Sequence, residues 1–175
     1  MSLLPVIQRR YSVRAYQARP VEAAKLKTIL EAARLAPSAR NVQEWRFVVV
    51  QDSAVRQKLV PAANNQAFVG EAPVVIVCCA IKTDYTMRCG HLAYPIDLAI
   101  AIEHMALQAV EEGLGTCWIG SFYEDQVKSI LGIPDAIRVV ELLTLGYPRD
   151  AAPTAPKNRL SLDEIVCQDR WRFST

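Results

Sequence analysis

The spacing of apolar and polar residues divides the chain into alternating helices and strands. Leu26, Ile29, Leu30 and Ala33 fall at i, i+3, i+4 and i+7, so residues 20–36 read as a helix with one apolar face. Pro37 ends it, because the residue before a proline avoids helical dihedrals. Residues 3–10 form a shorter helix candidate, and residues 12–19 read as extended or turning. A polar loop over residues 38–44 leads into a strand over 46–51. Ser53 is placed to cap a short helix that reaches Leu59. Residues 73–80 form an unbroken apolar, β-branched run, the mark of a strand buried on both faces. Residues 96–112 are apolar on nearly all sides and read as a core helix, ended by Gly113 and Gly115. A short strand over 116–119, a helix over 124–131 and a strand over 137–146 complete the ordered part.

Helices come first, and strands mixed with helices follow. That order predicts an α+β domain with a sheet flanked by helices. Residues 147–175 differ. Pro148, Pro153 and Pro156 precede scattered apolar residues (Leu160, Leu162, Ile165, Val166, Trp171, Phe173) that follow no period. Such a tail is expected to wrap over its own domain or over a partner subunit.

A length of 175 residues allows one domain, or at most one and a half, and one domain of this size can bury about 70% of its unfolded surface. The net charge of +2 hides an asymmetry: residues 1–46 carry +6, residues 47–146 carry −5, and the remainder carries +1. A total this small argues against a nucleic-acid binder. The first five residues lack the basic and apolar regions of a secretory signal. Asp97, Glu103, His104 and Gln108 interrupt the most apolar stretch, which is too short to cross a bilayer. Five cysteines without a repeating spacing read as reduced thiols of a cytoplasmic protein.

Four segments can carry chemistry. Arg9, Arg10 and Arg14 with Ser12 offer guanidinium and hydroxyl donors suited to phosphate; a solvated basic face is the other reading. Residues 36–45 combine small residues with Asn41, Gln43 and Trp45, either a ligand-contacting loop or an ordinary connection. Residues 113–122 place glycines and Trp118 around a short strand, or simply cap a helix. Gly146-Tyr147-Pro148 is followed by Lys157 and Arg159, two cations that point to one side of an extended chain or lie in a solvated loop. No P-loop, Rossmann glycine motif or nucleophile elbow is present. Cys89 and His91 lack a second pair at metal-ligand spacing.

In order and approximate spacing, these segments resemble short members of the nitroreductase-like FMN-dependent oxidoreductase family. The matching pieces are R-x-S-x-R at Arg10, A-P-S-A-x-N-x-Q-x-W at Ala36, G-x-G-x-x-W-I-G at Gly113, and G-Y-P followed by K-x-R. The resemblance runs from about Ile7 to Val166. It implies a three-layer α+β fold with a mostly antiparallel central sheet flanked by helices. The implied assembly is an interlocked homodimer of a single domain, residues 1–175, in which residues 147–175 form an arm around the partner. One FMN is implied in each of two interface sites, with NADH or NADPH as electron donor. A nitroaromatic, quinone or similar small acceptor would be reduced by a ping-pong route. The same scaffold also serves enoate reduction, dehalogenation or flavin breakdown, or non-catalytic flavin binding.

By resemblance, Arg10, Tyr11 and Ser12 hold the phosphate and ribityl end of FMN, and Arg14 lies beside its pyrimidine. Pro37, Ser38, Ala39, Asn41 and Gln43 belong to a loop from the partner subunit. Trp118, Ile119, Gly120 and Ser121 back the flavin ring, with the Gly120 N–H near N5. Lys157 and Arg159 complete the phosphate clamp. No catalytic side chain and no metal are implied, since the flavin carries the redox step. One departure stands out: Glu44 occupies the position where the family usually has proline before the tryptophan.

Overall fold

Burial on both faces makes one strand the centre of the molecule. The computed structural model describes residues 3–173. In chain order its elements are α1 (Pro5–Arg9), α2 (Ala23–Arg34), β1 (Trp45–Val50), α3 (Ser53–Ala62), α4 (Phe68–Glu71) and β2 (Val74–Ala80). Then come α5 (Tyr94–Glu111), β3 (Gly115–Ile119), α6 (Glu124–Leu131), β4 (Arg138–Gly146) and α7 (Leu162–Ile165). The four strands form one sheet in the order β1-β2-β4-β3, with every pairing antiparallel.

All seven residues of β2 are buried, and alternation sends them into two cores. Val74, Ile76, Cys78 and Ala80 pack with Leu26 and Ile29 of α2 and with Leu98, Ile102 and Met105 of α5. Val75, Val77 and Cys79 pack with Leu59 of α3, Val69 of α4 and Val127 of α6. The result is three layers, helix–sheet–helix. Burial of each Val, Leu or Ile side chain contributes about 1.5–3 kcal/mol, which is why one strand can organise both faces.

The structure refines several boundaries. The first long helix begins at Ala23 instead of residue 20, with Glu22 at its N-cap. Glu22 is occupied there by the Tyr147 hydroxyl at 2.7 Å and by Arg19 at 2.7 Å. Asp52, not Ser53, caps α3: its carboxylate accepts from the Val55 N–H at 2.9 Å. The short helices α4 and α7 fall where the sequence shows no helical period.

The segment after α1 is joined to the sheet by backbone bonds. Ser12 bridges Thr116 in parallel, and Val13 N–H donates to the Thr116 carbonyl at 2.9 Å. Gln17 N–H donates to the Tyr147 carbonyl at 2.9 Å, and Arg149 N–H donates to the Ala15 carbonyl at 3.0 Å. The buried Tyr16 hydroxyl donates to the Val13 carbonyl at 2.9 Å and lies 2.7 Å from Thr144 Oγ1. The N-terminal segment and the exit of β4 therefore close over the start of β3. Beyond Arg149 the tail runs over the surface, leaving Leu160, Leu162 and Trp171 at 64%, 74% and 74% exposure. The last two residues of the expected arm lie outside the described residues, as do the first two of the chain.

Gly115 permits the close approach of the N-terminal segment, since a Cβ there would run into the Val13 side chain. Gly115→Ala is expected to destabilise the protein by about 1–3 kcal/mol through overpacking. Urea denaturation checks this, with a lowered midpoint at unchanged slope as the expected result.

Candidate functional site

Three groups of residues make up the candidate site. The first lies over the start of β3. The bridge between Ser12 and Thr116 sets Arg10, Ser12 and Arg14 around Cys117. Burial raises the Cys117 thiol above its ordinary range, and the Arg14 charge, the Ser12 hydroxyl and Arg10 oppose that shift. Lys157 returns from the opposite end of the chain, its ammonium donating to the Ile7 carbonyl at 2.8 Å. Loss of solvent holds Lys157 below its ordinary value, and the Arg10 and Arg159 charges push the same way. Three cations from two ends of the chain thus repel one another in one place. Glu103 of α5 is the acid facing them, 3.7 Å from Arg10. An electropositive cluster with this little compensation fits a phosphate dianion. Tyr11 sits beside it, partly buried, and burial followed by Asp150 raises its hydroxyl above the usual value.

The second group is the turn after α2. Arg40, Asn41 and Gln43 have φ of 54°, 57° and 53°, in the left-handed region. Each such residue costs roughly 1–2 kcal/mol unless its side chain relieves it locally, as Asn can. Surrounding bonds hold the turn. Ala39 N–H donates to both Asp97 carboxylate oxygens, at 3.1 and 3.0 Å, and Gln43 N–H donates to Ser38 Oγ at 3.0 Å. Strain maintained in this way is characteristic of functional loops. Among the described residues of one protomer, no hydrogen bond or ion pair joins residues 37–43 to the cation cluster.

The third group follows β3. Trp118 packs against the α2–α5 core, Ile119 is buried and Gly120 is exposed. The next residue is tied down: Gln66 Nε2 donates to the Ser121 carbonyl at 3.2 Å, and Asn64 Nδ2 donates to Ser121 Oγ at 3.3 Å. Opposite Gly120 stands Glu141 of β4. A Cβ at Gly120 would meet its carboxylate oxygens at 3.6 and 3.7 Å. A register shift in the β2–β4 pairing sets Glu141 against Cys78 and leaves Val140 unpaired, as in a bulge. Glu141 Oε1 is buried without a hydrogen-bond partner.

The structure sets Arg10, Ser12 and Arg14 around Cys117, brings Lys157 into the field of Arg10 and Arg159, and holds Trp118 to Ser121 at the other end of β3. Pro37 to Gln43 stand apart from both within one protomer. Sequence reasoning passed over Asp97, Asn64, Gln66 and Glu141. A lone acid inside an apolar helix or strand is a detectable signal for Asp97 and Glu141, because a buried carboxyl needs a reason. Asn64 and Gln66 lie in an unpatterned turn and carry no such signal.

Burial pushes Glu141 up to about 7 from 4.5, with backbone donors at Ile119 and Leu142 opposing it. The folded protein binds this proton more tightly than the unfolded chain does. Stability from it is complete below pH 4.5 and falls as pH rises to about 7. Allowing for partial exposure, the loss is roughly 2–3 kcal/mol. Glu141→Gln is expected to flatten this part of the stability–pH curve measured by urea titration; an unchanged slope would count against the assignment.

Known proteins resemble this chain over most of its length. The Nitroreductase family model matches residues 7–68 and 60–147. A Thermus thermophilus protein named NADH dehydrogenase is 33% identical over 195 residues, covering 94% of this chain and 93% of its own. The solved structure of a nitroreductase family protein from Clostridium difficile 630 is 32% identical with a TM-score of 0.83, covering 98% of this chain and 100% of its own. The NADPH:FMN oxidoreductase of Vibrio harveyi, solved with NAD+, is 27% identical with a TM-score of 0.86, covering 98% and 78%. The chain belongs to the nitroreductase family.

Proposed function

We propose that the protein is an FMN-dependent NAD(P)H oxidoreductase that works as a homodimer. The observation that carries this reading is the meeting of Arg10, Lys157 and Arg159 in one place, with Glu103 the acid facing them. When bound, FMN supplies two-electron chemistry between NADH or NADPH and an electron-poor acceptor such as a nitroaromatic or quinone.

The chain's own residues bind, orient and exclude water. Arg10, Lys157 and Arg159 hold the phosphate, and the Ser12 hydroxyl adds a donor. Arg14 sets a fixed positive charge at the pyrimidine edge, where reduction places negative charge, and so favours the reduced state. Trp118 and Ile119 back the ring, Gly120 presents its backbone N–H, and Ser121, tied by Asn64 and Gln66, keeps that N–H in place. Tyr11 walls the ribityl side. Pro37, Ser38, Ala39, Asn41 and Gln43 reach the partner's flavin, which accounts for their separation from the cations within one protomer. The arm from residue 147 onward embraces the partner, covering the exposed Leu160, Leu162 and Trp171. A donor and an acceptor that use the same place in turn give ping-pong kinetics.

Purified protein is expected to be yellow or to take up FMN on reconstitution, and to be reduced by at least one nicotinamide in stopped flow. Turnover with a quinone should give parallel double-reciprocal lines. Arg10→Ala and Arg159→Ala should each weaken FMN binding ten-fold or more. Protein that binds no FMN would refute the reading, and unchanged affinity in both variants would refute the phosphate assignment.

A further inference from the structure

Glu141 is the acid of β4, and it stands opposite the exposed Gly120. The antiparallel pairing of β3 with β4 ends at Ile119 and Leu142, and one more step of that register sets Gly120 against Glu141. A Cβ at Gly120 would meet both carboxylate oxygens, at 3.6 and 3.7 Å. Because that position is glycine, no side chain separates the carboxyl from the Gly120 backbone. The register shift that pairs Glu141 with Cys78 places it on the sheet face that carries Trp118.

Two thiols and two backbone donors face this carboxyl. Cys78 on β2 and Cys117 on β3 are buried, and burial holds each thiol above its ordinary range, so neither is charged near neutral pH. The Ile119 and Leu142 N–H groups favour the ionised carboxylate, and burial, the larger effect, disfavours it. Among the described residues no ion pair includes Glu141, and its Oε1 is buried without a hydrogen-bond partner. The outcome is an acid held at about 7, neutral on one side of that pH and charged on the other.

We propose that Glu141 controls the redox balance of the bound flavin: ionised, it opposes the arrival of electrons beside Gly120, and protonated, it leaves them unopposed. The inference rests on the oxidoreductase reading, which sets the flavin ring against Gly120. A fixed negative charge next to a ring that gains negative charge disfavours the reduced state, the reverse of the effect of Arg14. Like charges also weaken the acid, so the half-buried carboxylate takes a proton from water when the two electrons of a nicotinamide hydride arrive. Glu141 thereby makes reduction harder in base and leaves it unhindered in acid.

Equilibration of the FMN-loaded protein with reference dyes, followed by absorbance from about pH 5.5 to about pH 9, tests this in the natural protein, Glu141→Gln and Glu141→Leu. Near the acid end the three proteins should show the same ratio of reduced to oxidised flavin within two-fold. Near the basic end the ratio in the natural protein should be at least ten-fold lower than in either variant, about 30 mV for a two-electron couple. Thermal melting at both ends establishes folding, and one folded variant is enough for the comparison. Ratios that stay together in base, or a gap as wide in acid as in base, overturn the proposal and leave the oxidoreductase reading standing. Protein that takes up no FMN overturns both.

Discussion

The cation cluster of the candidate site depends on a short backbone seam, the pairing of residues 12–17 with the start of β3 and the exit of β4. Val13 and Thr116, Gln17 and Tyr147, and Ala15 and Arg149 are joined by main-chain hydrogen bonds. Tyr16 locks the seam from within through Val13 and Thr144. The seam sets the direction in which the chain enters and leaves the core. Arg10 and Arg14 are thereby delivered from one end, while Pro148 starts the tail that brings Lys157 and Arg159 back from the other. Repulsion among these cations opposes the arrangement, and the backbone seam with its buried tyrosine offsets it. A phosphate would turn that repulsion into binding energy.

The second dependence runs through α5. Its N-terminal Asp97 holds a turn with three non-glycine residues in left-handed conformations, and its Glu103 faces the cation cluster. One rigid helix therefore touches both groups. The three-layer core, with β2 buried on both faces and α5 packed across it, keeps them at a fixed separation. In a homodimer the same helix would hold one end of its own flavin site and one end of its partner's.

Much of this was legible in the amino-acid order. The period of Leu26, Ile29 and Ala33 marks α2, and the apolar run at residues 74–80 marks the central strand, because burial there is strong and continuous. Arginines flanking Ser12 and the pair Lys157 and Arg159 are visible as cations, but by residue type they read equally as a solvated face; the family resemblance is what singles them out. The meeting of those groups across some 150 residues was not legible from pattern alone; only the family resemblance implied it. Long-range backbone pairing, such as Ser12 with Thr116, leaves no periodic trace. Glu141 and Asp97 were in plain view as acids in apolar runs, yet their roles depend on a bulge and on a neighbouring turn. Neither can be read from residue type. Glu44 was recognisable as a departure, but its burial against Asp97 is a fact of packing.

The central claim is that the two chain ends together hold a phosphate. Comparing the affinities of FMN and riboflavin over a range of ionic strength tests it most directly, since the two differ only in that group. FMN should bind at least a hundred-fold more tightly at low salt, with the gap narrowing as salt screens the cations. Equal affinity for the two flavins, or a gap indifferent to salt, would contradict the account.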